Sequence, residues 1–492
     1  MNFRFLLTLL TGVTLLCGTG DAMAYAKNVI LMISDGQGFN TVQATNYYSG
    51  LNAVYETFDV KYAMQTNSAN NPAGHNPSAM SSNFNYAKSG ATDSASAATA
   101  MYTGTKIYDG QVNMSTSGKP LTTYFETVAA SGKSIGAVSS VEFTHATPTA
   151  VFGHNTSRNN YSAMAKEAVY GSNPNSNNDN YDSDNYAGNL KVVMGTGNPL
   201  FDANGNTLAT PDYRYVGGSQ AWTDLENGVN GWTLVQSKDA FEALKTGSTP
   251  DKVFGVAENI STLQQGRSAG APALTNVPTL ETMAQAALNI LDNSLNGFSL
   301  MIEGGAVDWA NHANQLDRMI EEQVDFNNAV QAVVDWVNTS SSWLETLLIV
   351  TADHECGYLW GDGNSGFYDV NGNSVYDVGV DYAHVTDNGI GNLPGAQYFS
   401  GSHTNSLVPL YAMGAGSELF AQYVSGADPN LKALYNLDDT WNGQYVDNTA
   451  VFQVMSAASV SPVPEPSTAM LFSLGLGGLL LRIRRRQWDN AA

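Results

Sequence analysis

Cysteine is nearly absent from this 492-residue chain: two occur, and Cys17 falls in a segment expected to be removed, which leaves Cys356 without a partner. A disulfide framework is thereby excluded. A buried small hydrophobe is the commoner reading of a lone cysteine, and a metal role is the alternative, because Cys356 closely follows Asp353-His354. Basic residues are scarce as well. Lys and Arg number 21 against 44 Asp and Glu, for a formal net charge of -23. Five of the arginines, Arg4, Arg482, Arg484, Arg485 and Arg486, stand near the two ends, so the body is more acidic still. A surface of that sign repels nucleic-acid backbones and attracts divalent cations, and no nucleic-acid partner is expected. The apolar run Ala469 to Leu481 is shorter than the roughly 20 residues that span a bilayer comfortably. With 43% hydrophobic residues and a mean hydropathy of -0.18, the composition is that of a water-soluble globular protein with a sizeable core. No internal repeat is evident. One large domain over residues 25–460 is expected, flanked by short processing segments.

The flanks carry their own signals. Residues 1–24 combine Arg4, the apolar run Phe5 to Leu16 and the small-x-small triplet Ala22-Met23-Ala24, the pattern of a signal peptide and its cleavage site. At the other end Val463-Pro464-Glu465-Pro466 precedes the Ala469–Leu481 apolar stretch and the arginines from Arg482 to Arg486. This order resembles the PEP-CTERM sorting signal of bacteria. The resemblance implies export to periplasm, cell surface or extracellular matrix, with transient membrane contact through residues 461–492 and the arginines on the cytoplasmic side.

Between the ends, Asn28–Ser34 (NVILMIS), Phe298–Ile302 (FSLMI) and Thr346–Thr351 (TLLIVT) are continuous apolar runs, as expected of parallel strands covered on both faces. Each leads into an acid: Asp35, Glu303 and Asp353. In open α/β sheets the ligand crevice lies at the carboxyl ends of the strands, so these three should converge there. Helical periodicity over Thr279–Leu291 and Gln315–Trp336 supports the alternating layout. Ser172–Asn189, rich in Asn, Asp and Ser, reads as an exposed insertion, and Asp202–Gly205 and Asp369–Gly372 as tight turns. For the second turn a calcium loop is the alternative, but its glycine is misplaced for an EF-hand.

The histidines number only seven, and three occupy contexts that suit ligation. Asp308 and His312 are spaced i, i+4 and share one face of a helix. His354 follows Asp353 at a strand end. His403 lies in the small-residue segment Gly401-Ser402-His403-Thr404. Ser94 precedes the Ala-rich, helix-favouring run Ala95–Met101, which sets its hydroxyl at the positive end of a helix dipole, with Asp93 or Ser94 as cap.

Taken together, Ser34-Asp35-Gly36-Gln37-Gly38, Thr92 to Ala100, Ala146-Thr147-Pro148, Thr156-Ser157-Arg158, Glu303-Gly304, Asp308 to His312, Thr351 to His354 and Gly401 to Thr404 resemble the ordered motifs of alkaline phosphatases. The resemblance implies an α/β fold, a three-layer αβα sandwich around a mostly parallel sheet with loop insertions, and hydrolysis of phosphate monoesters. It further implies Ser94 as nucleophile and Arg158 as the bidentate grip on phosphate. Asp308, His312 and His403 would hold one zinc, Asp35, Asp353 and His354 a second, and Asp35, Thr147 and Glu303 a magnesium. A homodimer is also implied. His145 and Trp309 stand where the family varies, some members carrying Asp and Lys. Loss of that Lys is expected to weaken phosphate retention, and an imidazole at 145 to favour zinc over magnesium in the third site. Two rivals remain: a superfamily relative acting on phosphodiesters or sulfate esters, and a non-catalytic surface matrix protein. Ser94 lacks the x-Pro-x-Arg continuation of a sulfatase, and Arg158 is the group that diesterases typically lack.

Overall fold

The computed structural model describes residues 25–171 and 188–459; the signal-peptide segment, most of the 172–189 insertion and the C-terminal sorting segment lie outside these residues. An eleven-stranded sheet organises the chain. Its strands are β1 (Asn28–Ser34), β2 (Val60–Gln65), β3 (Ser134–Glu142), β4 (Leu190–Thr196), β5 (Thr233–Val235), β6 (Val253–Val256), β7 (Phe298–Gly304) and β8 (Thr346–Thr351). After β8 come the two-residue strands β9 (Glu355–Cys356) and β10 (His403–Thr404), which pair with each other outside the sheet, and then β11 (Val408–Gly414), β12 (Val424–Ala427) and β13 (Gln444–Asp447). The order across the sheet is β12-β13-β2-β11-β8-β1-β7-β3-β4-β6-β5. From β8 to β5 every neighbouring pair is parallel, while β11 runs antiparallel between β8 and β2.

All seven residues of β1 are buried, because helices cover both faces. Val29, Leu31 and Ile33 pack on one side with Ala95, Ala98 and Met101 of helix α1 (Ser94–Thr103). Ile30 and Met32 pack on the other with Met283 and Ala287 of α2 (Leu280–Leu291) and with Phe326 and Val330 of the long α3 (Leu316–Ser340). These are the three layers that the resemblance implied. Two-sided burial explains why the strands are uniformly apolar rather than alternating. Truncating a central side chain such as Leu31 to Ala would cost about 2–5 kcal/mol.

Parallel register then aligns the strand ends. Ile33 is paired with Glu303 on one side and Thr351 on the other, so Asp35, Glu303 and Asp353 emerge at one edge of the sheet. The turn after β1 is compressed there. Gly36 has φ +76°, and a Cβ on it would stand 2.8 Å from the Asp308 Cα, so only glycine permits this approach. Thr279 caps α2 by accepting from the Thr282 amide. Both acidic segments read as turns are turns: Asp202 accepts from the Asn204 and Asn206 amides, and Asp369 from those of Gly372 and Ser374.

Candidate active site

Ser94 occupies the first turn of α1, and Asp93 is its N-cap, accepting from the Ser96 amide at 2.9 Å. Such a cap contributes about 1 kcal/mol. The other oxygen of Asp93 accepts from the Gly110 amide and from Arg158 Nη1, at 3.0 and 2.9 Å. One carboxylate thus starts the helix and aims the guanidinium. Burial opposes its charge, but Arg158 and Ser96 prevail and hold Asp93 below the usual carboxylate range. Ser94 Oγ lies 3.2 Å from His354 Nε2. A cavity of about 880 Å³ opens over this point, lined among others by Ser94, Arg158, His145, Trp309, Tyr161 and His403.

Below it the acids and imidazoles converge. His312 Nδ1 faces the Gly401 carbonyl at 2.8 Å and His403 Nδ1 the Thr92 carbonyl at 2.9 Å. With Nδ1 committed to a carbonyl, each ring turns Nε2 toward the other, 3.0 Å apart, and toward Asp308 at 3.3 and 3.4 Å. Asp308 and His312 lie on a short helix, Ala306–His312, that ends at the crevice. His354 stacks on His403 with ring centroids 3.6 Å apart, and its Nε2 is 3.2 Å from Asp353 and 3.5 Å from Asp35. Glu303 accepts from the Ser139 hydroxyl. The buried Thr147 side chain stands beside Glu303 and works against the rise that burial imposes on its carboxyl. The His145 ring meets Trp309 edge-on at 5.7 Å and Arg158 Nη2 at 3.3 Å.

The electrostatics of this cluster are those of a site short of positive charge. Burial, then Asp353 and Asp308, pushes Asp35 well above the ordinary carboxylate range. Burial likewise lifts Glu303 to about 7 and Asp353 to about 6. Burial also opposes ionisation of Asp308, but His403 outweighs it and pulls that carboxyl below its usual range. His403 is raised to about 9 because Asp308 overcomes its burial, whereas burial, then His403, keeps His354 neutral. Both oxygens of Asp35, and one each of Asp308, Asp353 and Glu303, are buried with no hydrogen-bond partner. Such orphaned lone pairs cost about 1–3 kcal/mol apiece, more for charged groups. A cation removes that cost. Three sets bring their ligand atoms within 4.8 Å of one another: Asp308, His312, Cys356 and His403; Asp35, Asp308 and His354; and Asp35, His145 and Glu303.

Every residue singled out from the sequence therefore sits in or beside one crevice. Ser139, Tyr161 and Gln265 carried no signal. Ser139 reaches Glu303 only through the β3–β7 register, and Tyr161 and Gln265 join the cavity wall from loops and a helix start. The histidines set aside lie elsewhere, His75 against Asp428 and His384 on the Ala433 carbonyl.

A serine hydroxyl and an arginine facing a cation-ready crevice, at the carboxyl edge of a doubly covered sheet, define the class of phosphatase-like hydrolases. The chain belongs to the alkaline phosphatase family, whose model matches residues 26–459. It is 26% identical to alkaline phosphatase 4 of Bacillus subtilis over 82% of this chain and 87% of that protein. With alkaline phosphatase 3 of the same organism it shares 27% identity, over 67% of this chain and 61% of that protein. With the Escherichia coli enzyme it shares 28%, over 67% and 70%. Among solved structures, the cold-active alkaline phosphatase of Shewanella sp. superposes with TM-score 0.60 at 22% identity, covering 88% of this chain and 100% of the other. That of Thermus thermophilus gives 0.59 at 19%, covering 92% and 96%. A second model, the PEP-CTERM protein-sorting motif, matches residues 462–486 and marks an exported bacterial protein. Among the described residues no helix is long and apolar enough to cross a membrane.

Proposed function

We propose that the chain hydrolyses phosphate monoesters through a phosphoserine at Ser94, with two zinc ions and one magnesium ion as cofactors. The observation that carries this reading is the Ser94 hydroxyl, 3.2 Å from the neutral His354 ring, beside orphaned carboxylates and under a cavity that also presents Arg158. Asp308, His312 and His403 would hold one zinc, and Asp35, Asp353 and His354 the second. Asp35, Thr147 and Glu303 would hold the magnesium. When bound, such ions lower the pKa of a hydroxyl or water and neutralise charge on the leaving oxygen.

The chain's own groups do the rest. Ser94 Oγ attacks phosphorus and gives its proton to solvent, while the bond to the leaving oxygen breaks and that oxygen takes up a proton; water then attacks phosphorus in the reverse geometry, releasing phosphate and returning a proton to Ser94 Oγ. Arg158, held by Asp93, grips two non-bridging oxygens, a fork that Lys cannot offer. The amino end of α1 adds its dipole where the transferred phosphate would rest. His145 bears on the third site, because its ligand atoms group with Asp35 and Glu303 and imidazole suits zinc better than magnesium. In two solved variants of the TAB5 alkaline phosphatase that replace a histidine with an acid, magnesium is bound in the M3 site.

Residues 1–24 as a cleaved signal peptide, 25–460 as the catalytic domain and 461–492 as the sorting segment complete the proposal, together with a homodimer that light scattering of the mature chain would show. The decisive experiment is metal analysis with hydrolysis rates on a monoester, a diester and a sulfate ester. Metal-dependent monoester turnover that Ser94→Ala abolishes is expected. A preference for the diester or sulfate ester, or turnover surviving Ser94→Ala, would overturn it; a metal-free inert protein would favour the matrix reading.

A further inference from the structure

Cys356 is fully buried, yet it does not stand among apolar neighbours alone. The two-residue ladder of β9 and β10 pairs it directly with His403, and residues opposite each other in an antiparallel pair project from the same face. Its sulfur lies in one group with the ligand atoms of Asp308, His312 and His403, all within 4.8 Å of one another. A second observation points to a ligand at the same place. His312 and His403 each commit Nδ1 to a carbonyl, and their Nε2 atoms face each other at 3.0 Å and the buried Asp308 carboxylate at 3.3 and 3.4 Å, so acceptor lone pairs converge where a cation would answer them.

We propose that Cys356 is a fourth, sulfur ligand of the cation held by Asp308, His312 and His403. This rests on the metal reading given above and extends it. Ligation requires the thiolate, so the S–H bond breaks heterolytically and one proton leaves to solvent for each cation bound at this position. Two consequences follow from the donor set. A thiolate is soft, so the position discriminates in favour of zinc, cobalt or cadmium and against magnesium or manganese more strongly than an aspartate and two imidazoles would. Four protein donors also complete a tetrahedral zinc shell, so an oxygen of substrate or water has to enter as a fifth ligand or displace the sulfur.

Cobalt(II) titration of the full chain carrying Cys17→Ala, in which Cys356 is the single thiol, tests this. The first equivalents of cobalt should raise a near-ultraviolet sulfur-to-cobalt charge-transfer band. Cys356→Ser in that background should abolish the band and weaken zinc affinity by about 10–100-fold, the scale on which groups supporting a metal act, with a smaller change for magnesium. Where the serine variant does not fold, the parent protein supplies the second readout: zinc should slow iodoacetamide alkylation of Cys356 by at least about tenfold relative to the metal-free protein, the lower end of that scale. Cobalt bound with no such band, together with alkylation indifferent to zinc, would overturn the sulfur ligand and leave the metal reading standing. No cobalt or zinc bound at all would remove both.

Discussion

Two acid-rich regions of this chain look alike in composition and behave oppositely. In the crevice, Asp35, Asp308, Asp353 and Glu303 are buried, and each has an oxygen that makes no hydrogen bond. In the loop from Asp369 to Asp381, each carboxylate is satisfied by its own neighbourhood. Asp369 takes the Gly372 and Ser374 amides, Asp377 the side chains of Asn371 and Asn373, and Asp381 the Val370 and Asp377 amides. Their titration follows suit: Asn371 and Asn373 hold Asp377 below its ordinary value, whereas burial drives Asp353 to about 6 and Glu303 to about 7. The lesson is that acids in number do not make a cation site. Unanswered lone pairs in a dry setting do.

The comparison can be broken most severely at Asp35, which belongs to two of the three ligand groups. Asp35→Asn should lower kcat/KM for a phosphate monoester by at least about 10³-fold, about 4 kcal/mol, and reduce the metal retained after dialysis. Full turnover with normal metal content would show that the orphaned lone pairs are incidental.

Chelation should expose the stored repulsion next. Glu303 and Asp353 bind protons more tightly folded than unfolded, so their contribution to metal-free stability is fully present at low pH and is lost as pH rises from the unfolded carboxylate range, roughly 4, through about 6 and 7. The gain in melting temperature on restoring zinc and magnesium should therefore grow across that window. A gain independent of pH, read by thermal denaturation with and without chelator, would contradict the picture.

A smaller effect is expected at the rim. Trp309→Lys adds a positive charge beside His145 and the phosphate position, and should tighten inhibition by inorganic phosphate by up to about tenfold, about 1.4 kcal/mol. An unchanged inhibition constant would remove Trp309 from the account of product release. Least of all should happen in the loop: Asp377→Ser should leave metal content and turnover unaltered and shift the melting midpoint only slightly. A lost equivalent of metal would mean that the loop, too, is a site.

Much of this architecture was legible in advance because two-sided burial writes itself into sequence as unbroken apolar strands, and because an Asp-Ser step before an alanine run marks a helix start. Asp35, Glu303 and Asp353 were readable for the same reason, each standing at the end of an apolar run. Other features had no local signature. Antiparallel β11 inside an otherwise parallel stretch depends on which edge of β8 stays free, and the β9–β10 ladder has only two residues per strand, too few for any periodicity. Cys356 accordingly read as a plain buried thiol, and Ser139 as an ordinary strand residue.

Residue types and their order along the chain thus determined the layered α/β class, the export signals and the candidates for chemistry. Only the tertiary structure decided which candidates share an atom's reach, which lone pairs go unanswered, and that a cysteine faces His403. Those outcomes depend on strand register and on contacts between segments tens to hundreds of residues apart, and a pairing of that kind leaves no trace in either partner's neighbourhood.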